Sequence, residues 1–144
     1  MTIEKATNQP SALVVEDDRD YAELLAAMLE EGGFHVEYAV DGLDALDRVR
    51  SRKPDVITLD IQMPRKGGIQ FYRELKSDPD FQEIPIVVVT GITKDDRDME
   101  TFVRTFLETE HLPLPDGFLE KPVDNDELLR HVSDALRVEF KPNR

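Results

Sequence analysis

The chain contains no cysteine. This absence excludes disulfide scaffolds, thiolate zinc sites, cysteine nucleophiles and iron–sulfur ligation. Basic residues are also few, because 18 Lys and Arg stand against 31 Asp and Glu and give a formal net charge of −13. Such a balance repels a phosphate backbone. We therefore expect no direct binding to nucleic acid.

Long apolar runs are missing as well. The longest, such as 84–89 with Pro85 inside it, are far shorter than the roughly 20 residues of a membrane span, so we expect no membrane anchor. Residues 1–10 carry Glu4 and Lys5 and lack the apolar segment of a secretory signal. We predict a disordered leader over 1–10 of a cytoplasmic protein, one domain over 11–140, and a tail over 141–144.

Five apolar runs rich in β-branched residues alternate with five segments in which apolar residues recur at helical spacing. The predicted strands cover 12–15, 35–40, 56–59, 84–89 and 117–119. The first, third and fourth runs are continuously apolar, which is typical of parallel strands buried under helices on both faces. Right-handed crossovers then predict a doubly wound, three-layer α/β domain.

The expected helix boundaries agree with this division. Gly32 and Gly33 are predicted to end the first helix, Pro54 to close the second, and Asp124 with Glu127 to cap the start of the last. Each helical segment is therefore bounded by its own signals.

Polar residues follow the predicted strands where ligands bind in such sheets, at their carboxyl ends. Glu16 and Asp17 follow the first strand, Asp60 the third, Thr90 the fourth, and Lys121 lies just after the fifth. Two carboxylates about 4 Å apart repel by about 4 kcal/mol at an effective dielectric of 20, so the acids call for a cation. Oxygen ligands favour Mg²⁺. The lack of cysteine and the three scattered histidines argue against zinc.

The same residues suggest a reaction. A carboxylate at a magnesium site, beside a lysine ammonium and a hydroxyl, is equipped to accept a phosphoryl group. Asp60 is the candidate nucleophile, and the metal, Lys121 and Thr90 would neutralise the phosphoryl oxygens. Taken alone, Asp17 and Asp18 would equally well begin a helix.

Four segments make the chain resemble the receiver domain of two-component response regulators over residues 11–140. They are Leu-Val-Val-Glu-Asp-Asp at 13–18, Pro-Asp-Val-Ile-Thr-Leu-Asp-Ile-Gln-Met-Pro at 54–64, Val-Thr-Gly at 89–91 and Phe-Leu-Glu-Lys-Pro at 118–122. The resemblance implies a flavodoxin-like five-stranded parallel sheet of order 2-1-3-4-5. It also implies a phosphodonor, the phosphohistidine of a sensor histidine kinase or a histidine phosphotransfer protein.

The resemblance assigns roles at the metal site. It implies that Asp60 is phosphorylated, and that Asp17 and Asp60 bind Mg²⁺ directly while Glu16 assists, directly or through water. The backbone carbonyl of Gln62 would be a further ligand.

It also assigns roles in switching. Thr90 and Lys121 would bind the phosphoryl oxygens, and Phe118 would be the aromatic residue whose rotation accompanies activation, although on composition alone a place in the core explains a Phe there better. The side chains of Gln62 and Ile92 would flank the attacking water and set the lifetime of the phosphoryl group.

The segment between Thr90 and Lys121 is longer than is usual in the family, which lengthens the fourth helix and the loop 108–116. We predict a stand-alone switch rather than an enzyme, which signals to a downstream protein through 94–136. Two alternatives remain. One is a receiver-like adaptor that is never phosphorylated, and the other is a small magnesium-dependent phosphatase of the haloacid-dehalogenase type, whose second acid would fall where Gln62 stands.

Overall fold

A computed structural model describes residues 9–61, 67–91 and 99–137. Five strands alternate with five helices along the chain. In order they are β1 Ser11–Val15, α1 Arg19–Glu31, β2 His35–Ala39, α2 Gly42–Ser51, β3 Val56–Leu59, α3 Gly68–Lys76, β4 Ile86–Thr90, α4 Met99–Thr109, β5 Gly117–Glu120 and α5 Asn125–Leu136. Residues 1–8 of the predicted leader over 1–10, and the predicted tail over 141–144, lie outside the described residues and stay predictions. Gln9 and Pro10 are described, and Pro10 is buried with its carbonyl accepting from His35 N at 2.9 Å.

The strands form one parallel sheet in the order β2-β1-β3-β4-β5, which confirms the predicted fold. Every residue of β1 after Ser11, and every residue of β3 and β4, is buried. This is the burial that their continuously apolar sequences predict, because helices cover both faces of the sheet.

Alternate strand residues feed two separate cores. One core holds Leu13 and Ile57 of the sheet with the apolar faces of α2, α3 and α4. The other holds Val14 and Val87 with the apolar faces of α1 and α5. The sheet is thus the middle of three layers.

Four of the five strands differ from prediction at one end or both; β1 begins one residue earlier, at Ser11, and β5 ends one residue later, at Glu120. β4 was expected over 84–89 but spans Ile86–Thr90, because Pro85 has no N–H to donate to a ladder; its carbonyl instead accepts from Ile57 N at 3.0 Å. β2 ends at Ala39 rather than at residue 40.

Helix ends follow their predicted signals. α1 ends at Glu31 with Gly32 as its C-cap, and Gly33 has a φ of 101°, a left-handed conformation that glycine adopts without steric cost. The Asp124 side chain accepts from Glu127 N at 3.2 Å and caps α5. α2 ends at Ser51, three residues before Pro54.

The connection from α4 to β5 lies against α3. Tyr72 Oη donates to the carbonyl of Pro113 at 2.6 Å, and the Arg73 guanidinium pairs with Glu110 at 2.9 Å. Tyr72 and Arg73 both lie on α3, so the loop between α4 and β5 is held against that helix. Within the described part of the chain, no helix has the length and apolarity that a membrane crossing requires.

Candidate functional site

Three carboxylates meet at the carboxyl edge of the sheet. Glu16 and Asp60 are 2% and 5% exposed, whereas Asp17 is on the surface. One oxygen of each of these three side chains lies within 4.8 Å of the others. The structure thus places together the three acids that the sequence analysis had assigned to a metal site.

The strand register explains this meeting. β1 and β3 are adjacent parallel strands, and Val15 pairs with Leu59 in their last aligned position. The next residue of each strand therefore emerges at the same level, and Asp60 N donates to the Val15 carbonyl at 3.0 Å. Glu16 N is held in the same way by the Ala39 carbonyl at 3.0 Å.

A lysine and a threonine complete the cluster. Lys121 Nζ lies 2.7 Å from Glu16 Oε1 and 3.2 Å from Asp60 Oδ2. Thr90 Oγ1, fully buried at the end of β4, donates to Asp60 Oδ1 at 3.1 Å. Lys121 N donates to the Thr90 carbonyl at 2.9 Å, so β4 and β5 deliver both side chains together.

The pKa values of Glu16 and Lys121 are both shifted by their neighbours in the cluster and by burial. Burial raises the pKa of Glu16 to about 7, and the negative charge of Asp60 adds to this, although the Lys121 hydrogen bond opposes it. Burial alone would lower the pKa of Lys121, but the bond to Glu16 and the charge of Asp60 outweigh it, so this pKa is raised. One ammonium does not balance three carboxylates.

The donor set fits a hard divalent cation. The converging atoms of Glu16, Asp17 and Asp60 are all carboxylate oxygens, which Mg²⁺ prefers, and one of the three acids, Asp17, is exposed to solvent. Zinc is disfavoured, because this cluster contains neither histidine nor cysteine.

Asp17 and Asp18 separate into two roles, although they are adjacent. The Asp18 side chain accepts from Tyr21 N at 3.2 Å and caps α1, as the helix-start interpretation predicts. Asp18 N donates to Glu16 Oε2 at 3.1 Å. Asp17 instead belongs to the carboxylate cluster.

The remaining predicted residues are placed as follows. Phe118 is half-buried on β5 and packs against the core beneath α4, rather than being enclosed within a buried strand. Gln62 and Ile92 lie outside the described residues, so the roles predicted for them stay predictions.

Sequence reasoning missed Tyr21, which lies in the first turn of α1. Its ring centroid lies 4.6 Å from Lys121 Nζ, and its Oη accepts from Val123 N at 3.0 Å. Helical spacing signals that Tyr21 faces inward, but nothing in the pattern indicates which polar group it meets.

Comparison with known proteins agrees with this geometry. The family model described as "Response regulator receiver domain" matches residues 12–133. The response regulator MprA of Mycobacterium avium (strain 104) is 38% identical over 125 residues, which cover 87% of this chain and 50% of the relative. MprA of Mycobacterium bovis (strain BCG / Pasteur 1173P2) has the same identity and coverage. The chain thus spans about half the length of these curated relatives.

Solved structures show the same fold. A sensor protein from Polaromonas sp. JS666 superposes with a TM-score of 0.78 at 29% identity, covering 90% of this chain and 98% of that one. The signal receiver domain of a signal transduction histidine kinase from Syntrophus aciditrophicus has a TM-score of 0.75 at 31% identity, with coverage of 89% and 90%.

Proposed function

The chain belongs to the response regulator receiver domain family, and from this premise we propose that Asp60 accepts a phosphoryl group from the phosphohistidine of a sensor histidine kinase or a histidine phosphotransfer protein. The observation that carries the proposal is the surroundings of Asp60. Its two oxygens contact Thr90 and Lys121, and Glu16 and Asp17 stand beside it. Receiver domains of this family are signalling switches rather than classical enzymes.

The proposed step exchanges one bond to phosphorus for another. An Asp60 oxygen forms the new O–P bond while the N–P bond of the phosphohistidine breaks, and the electron pair of that bond stays on the imidazole nitrogen. Lys121 and Thr90, which contact the two oxygens of the Asp60 carboxylate, would bind two of the phosphoryl oxygens. Mg²⁺, held by Glu16, Asp17 and Asp60, would supply charge neutralisation for the same oxygens.

The test is labelling by acetyl phosphate with Mg²⁺, followed by intact mass measurement. We expect one base-labile addition of about 80 Da in the parent chain and none in Asp60→Asn. Asp55→Asn is the matched control, because Asp55 stands at the opposite end of the same strand and should leave labelling intact. Equal labelling of Asp60→Asn and the parent would show that Asp60 is not the acceptor.

The same experiment separates the two alternatives. A phosphorylation-independent adaptor would remain unlabelled at every concentration of acetyl phosphate. A phosphatase would release inorganic phosphate over many turnovers and accumulate little labelled protein, whereas a switch would hold about one phosphoryl group per chain.

We also propose that the signal leaves through α4, β5 and α5. Thr90 and Lys121 bracket this part of the chain, and they contact each other through the 2.9 Å backbone bond. Phe118 and Phe106 pack against the same core, so a movement of Thr90 toward a phosphoryl group would repack the region beneath α4. A ligand biases a conformation only through such differential contact.

Hydrogen exchange with and without beryllofluoride and Mg²⁺ tests this surface. We expect the largest protection changes within 90–121, including the loop held to α3 by Tyr72 and Arg73. A change confined to α1 and α2 would contradict the assignment.

We also propose that the protein acts alone and that it lies in the cytoplasm. The matched curated relatives are about twice as long as the aligned segment, so stand-alone action needs a test of its own. The size of the native protein in its own cell, measured by immunoblot of cytosolic and membrane fractions, tests both.

A further inference from the structure

Tyr21 connects the start of α1 to the lysine of the site. It is half-buried, its ring centroid lies 4.6 Å from Lys121 Nζ, and its Oη accepts from the backbone N–H of Val123 at 3.0 Å. One side chain therefore contacts both the ammonium of Lys121 and the backbone two residues later. These contacts join segments that lie about a hundred positions apart in the sequence.

The ring has a physical effect on the ammonium. A cation over an aromatic face is attracted by the ring's negative electrostatic potential. Lysine is long and flexible, with three N–H donors. Glu16 and Asp60 bind the ammonium at 2.7 and 3.2 Å, and the ring contacts it as well, which restricts the positions that Nζ can adopt.

Hydrogen bonds through Asp18 also fix the position of Tyr21 relative to the acids. Its backbone N–H donates to the Asp18 side chain at 3.2 Å, and Asp18 N donates to Glu16 Oε2 at 3.1 Å. The chain of contacts from Glu16 through Asp18 to Tyr21 therefore sets the ring at a defined place relative to the carboxylates that share Lys121.

We propose that Tyr21 is a positioning residue that holds the Lys121 ammonium where it meets the phosphoryl oxygens on Asp60. The inference rests on the proposed function of Asp60 and adds a residue outside the acids, hydroxyl and lysine already described. It follows that loss of the ring slows phosphoryl transfer even though Tyr21 touches no reacting atom.

Three variants separate the ring from the hydroxyl. Tyr21→Leu removes both contacts, and we expect labelling by acetyl phosphate with Mg²⁺ to be about tenfold slower, equivalent to about 1.4 kcal/mol. Tyr21→Phe keeps the ring over Lys121 and should stay within about threefold of the parent. Tyr38→Leu is the matched control, since Tyr38 is 40% exposed on β2, and should label at the parent rate. Slowing of Tyr21→Phe as large as that of Tyr21→Leu would overturn the role of the ring.

A double-mutant cycle shows whether Tyr21 acts through Lys121. In a Lys121→Met background, adding Tyr21→Leu should slow labelling no further, because the group being positioned is already gone. A tenfold slowing that persists in that background would mean that Tyr21 acts on the fold alone, and the proposal would be wrong.

Nuclear magnetic resonance of the unphosphorylated protein tests the contact without using the reaction. The ring current of Tyr21 should shift the Lys121 ε-methylene protons upfield in the parent and in Tyr21→Phe, and these protons should return toward ordinary lysine positions in Tyr21→Leu. Ordinary positions in the parent would overturn the proposal. Shifted protons in a parent that acetyl phosphate does not label would support the contact while disproving the function proposed for Asp60.

Discussion

The two edges of the sheet use the same kinds of side chain to different effect. β3 is flanked by Asp55 at its amino end and Asp60 at its carboxyl end. Asp55 Oδ2 accepts from Ser11 N at 2.7 Å and from Ser11 Oγ at 3.3 Å, which fastens β1 to β3. Asp60 instead faces two further acids. Among the residues that the structure describes, the Asp55 carboxylate accepts only from Ser11 and serves the fold, whereas Asp60 accepts from Thr90 and Lys121 and also lies beside two acids, the arrangement on which the proposed cation site rests.

Within the described part of the chain, two half-buried lysines repeat the contrast. Near the amino edge, Lys76 Nζ donates to the carbonyls of Gln82 and Ile84 at 3.0 and 2.9 Å. Burial lowers its pKa, although Asp116 and Glu83 act in the opposite direction. At the carboxyl edge the pKa of Lys121 is raised, because its carboxylate neighbours outweigh burial. Both lysines are half-buried, so the difference in the direction of their pKa shifts comes from the charged groups around each ammonium.

The largest expected effect is on stability when each lysine is removed. In metal-free buffer at pH 8, Lys121→Met should lower the free energy of unfolding by about 3 kcal/mol, because Glu16 and Asp60 lose the ammonium that they share. Lys76→Met should cost about 1.5 kcal/mol, because it removes hydrogen bonds to two carbonyls and weaker interactions with the Tyr72 ring and the Asp116 charge. Urea unfolding measures both values, and equal losses would remove the contrast between the edges.

Magnesium should act on one edge alone. At ten times its Kd, Mg²⁺ should raise the free energy of unfolding by about 1.4 kcal/mol through preferential binding to the folded state. Asp17→Asn should abolish this increase, whereas Asp55→Asn, on the amino side of β3, should keep it. Thermal unfolding across a magnesium titration provides the measurement. A response unchanged in Asp17→Asn would contradict the metal site.

The smallest expected effect is a change of opposite sign in the free energy of unfolding when one acid is neutralised at each edge of the sheet. Without metal, Asp17→Asn should raise the free energy of unfolding by up to about 1 kcal/mol, because it removes one of three mutually repelling charges. Asp116→Asn should lower it by about 1 kcal/mol, because the Asp116 carboxylate accepts from Ile86 N at 2.9 Å. Chemical denaturation of the two variants side by side decides the matter, and changes of the same sign would count against this account.

The sequence alone predicts the elements and their arrangement well. The continuous apolar character of β1, β3 and β4 indicates burial on both faces, and hence a parallel sheet. Because parallel strands place their carboxyl ends at one edge, acids that follow β1 and β3 are expected to meet. Both inferences depend on local pattern and on a general rule of topology, so they need no coordinates.

The details that the sequence left open are contacts between distant segments. The start of β4 depends on the ladder geometry around Pro85, and the division of labour between Asp17 and Asp18 depends on which of them the helix uses as its cap. Local pattern treats these two acids alike, because their chemistry is the same and only their direction differs.

What the sequence determined by itself is therefore the sheet, its helices and the edge where the polar residues gather. The tertiary structure decided which partners these residues take there. Tyr21 meets Lys121 and Val123 across about a hundred positions of sequence, and the loop after α4 is held by Tyr72 and Arg73 of α3. Periodicity tells which face of a helix turns inward, but the group that it meets is set by the packing of separate elements, because such contacts leave no local signal in the chain.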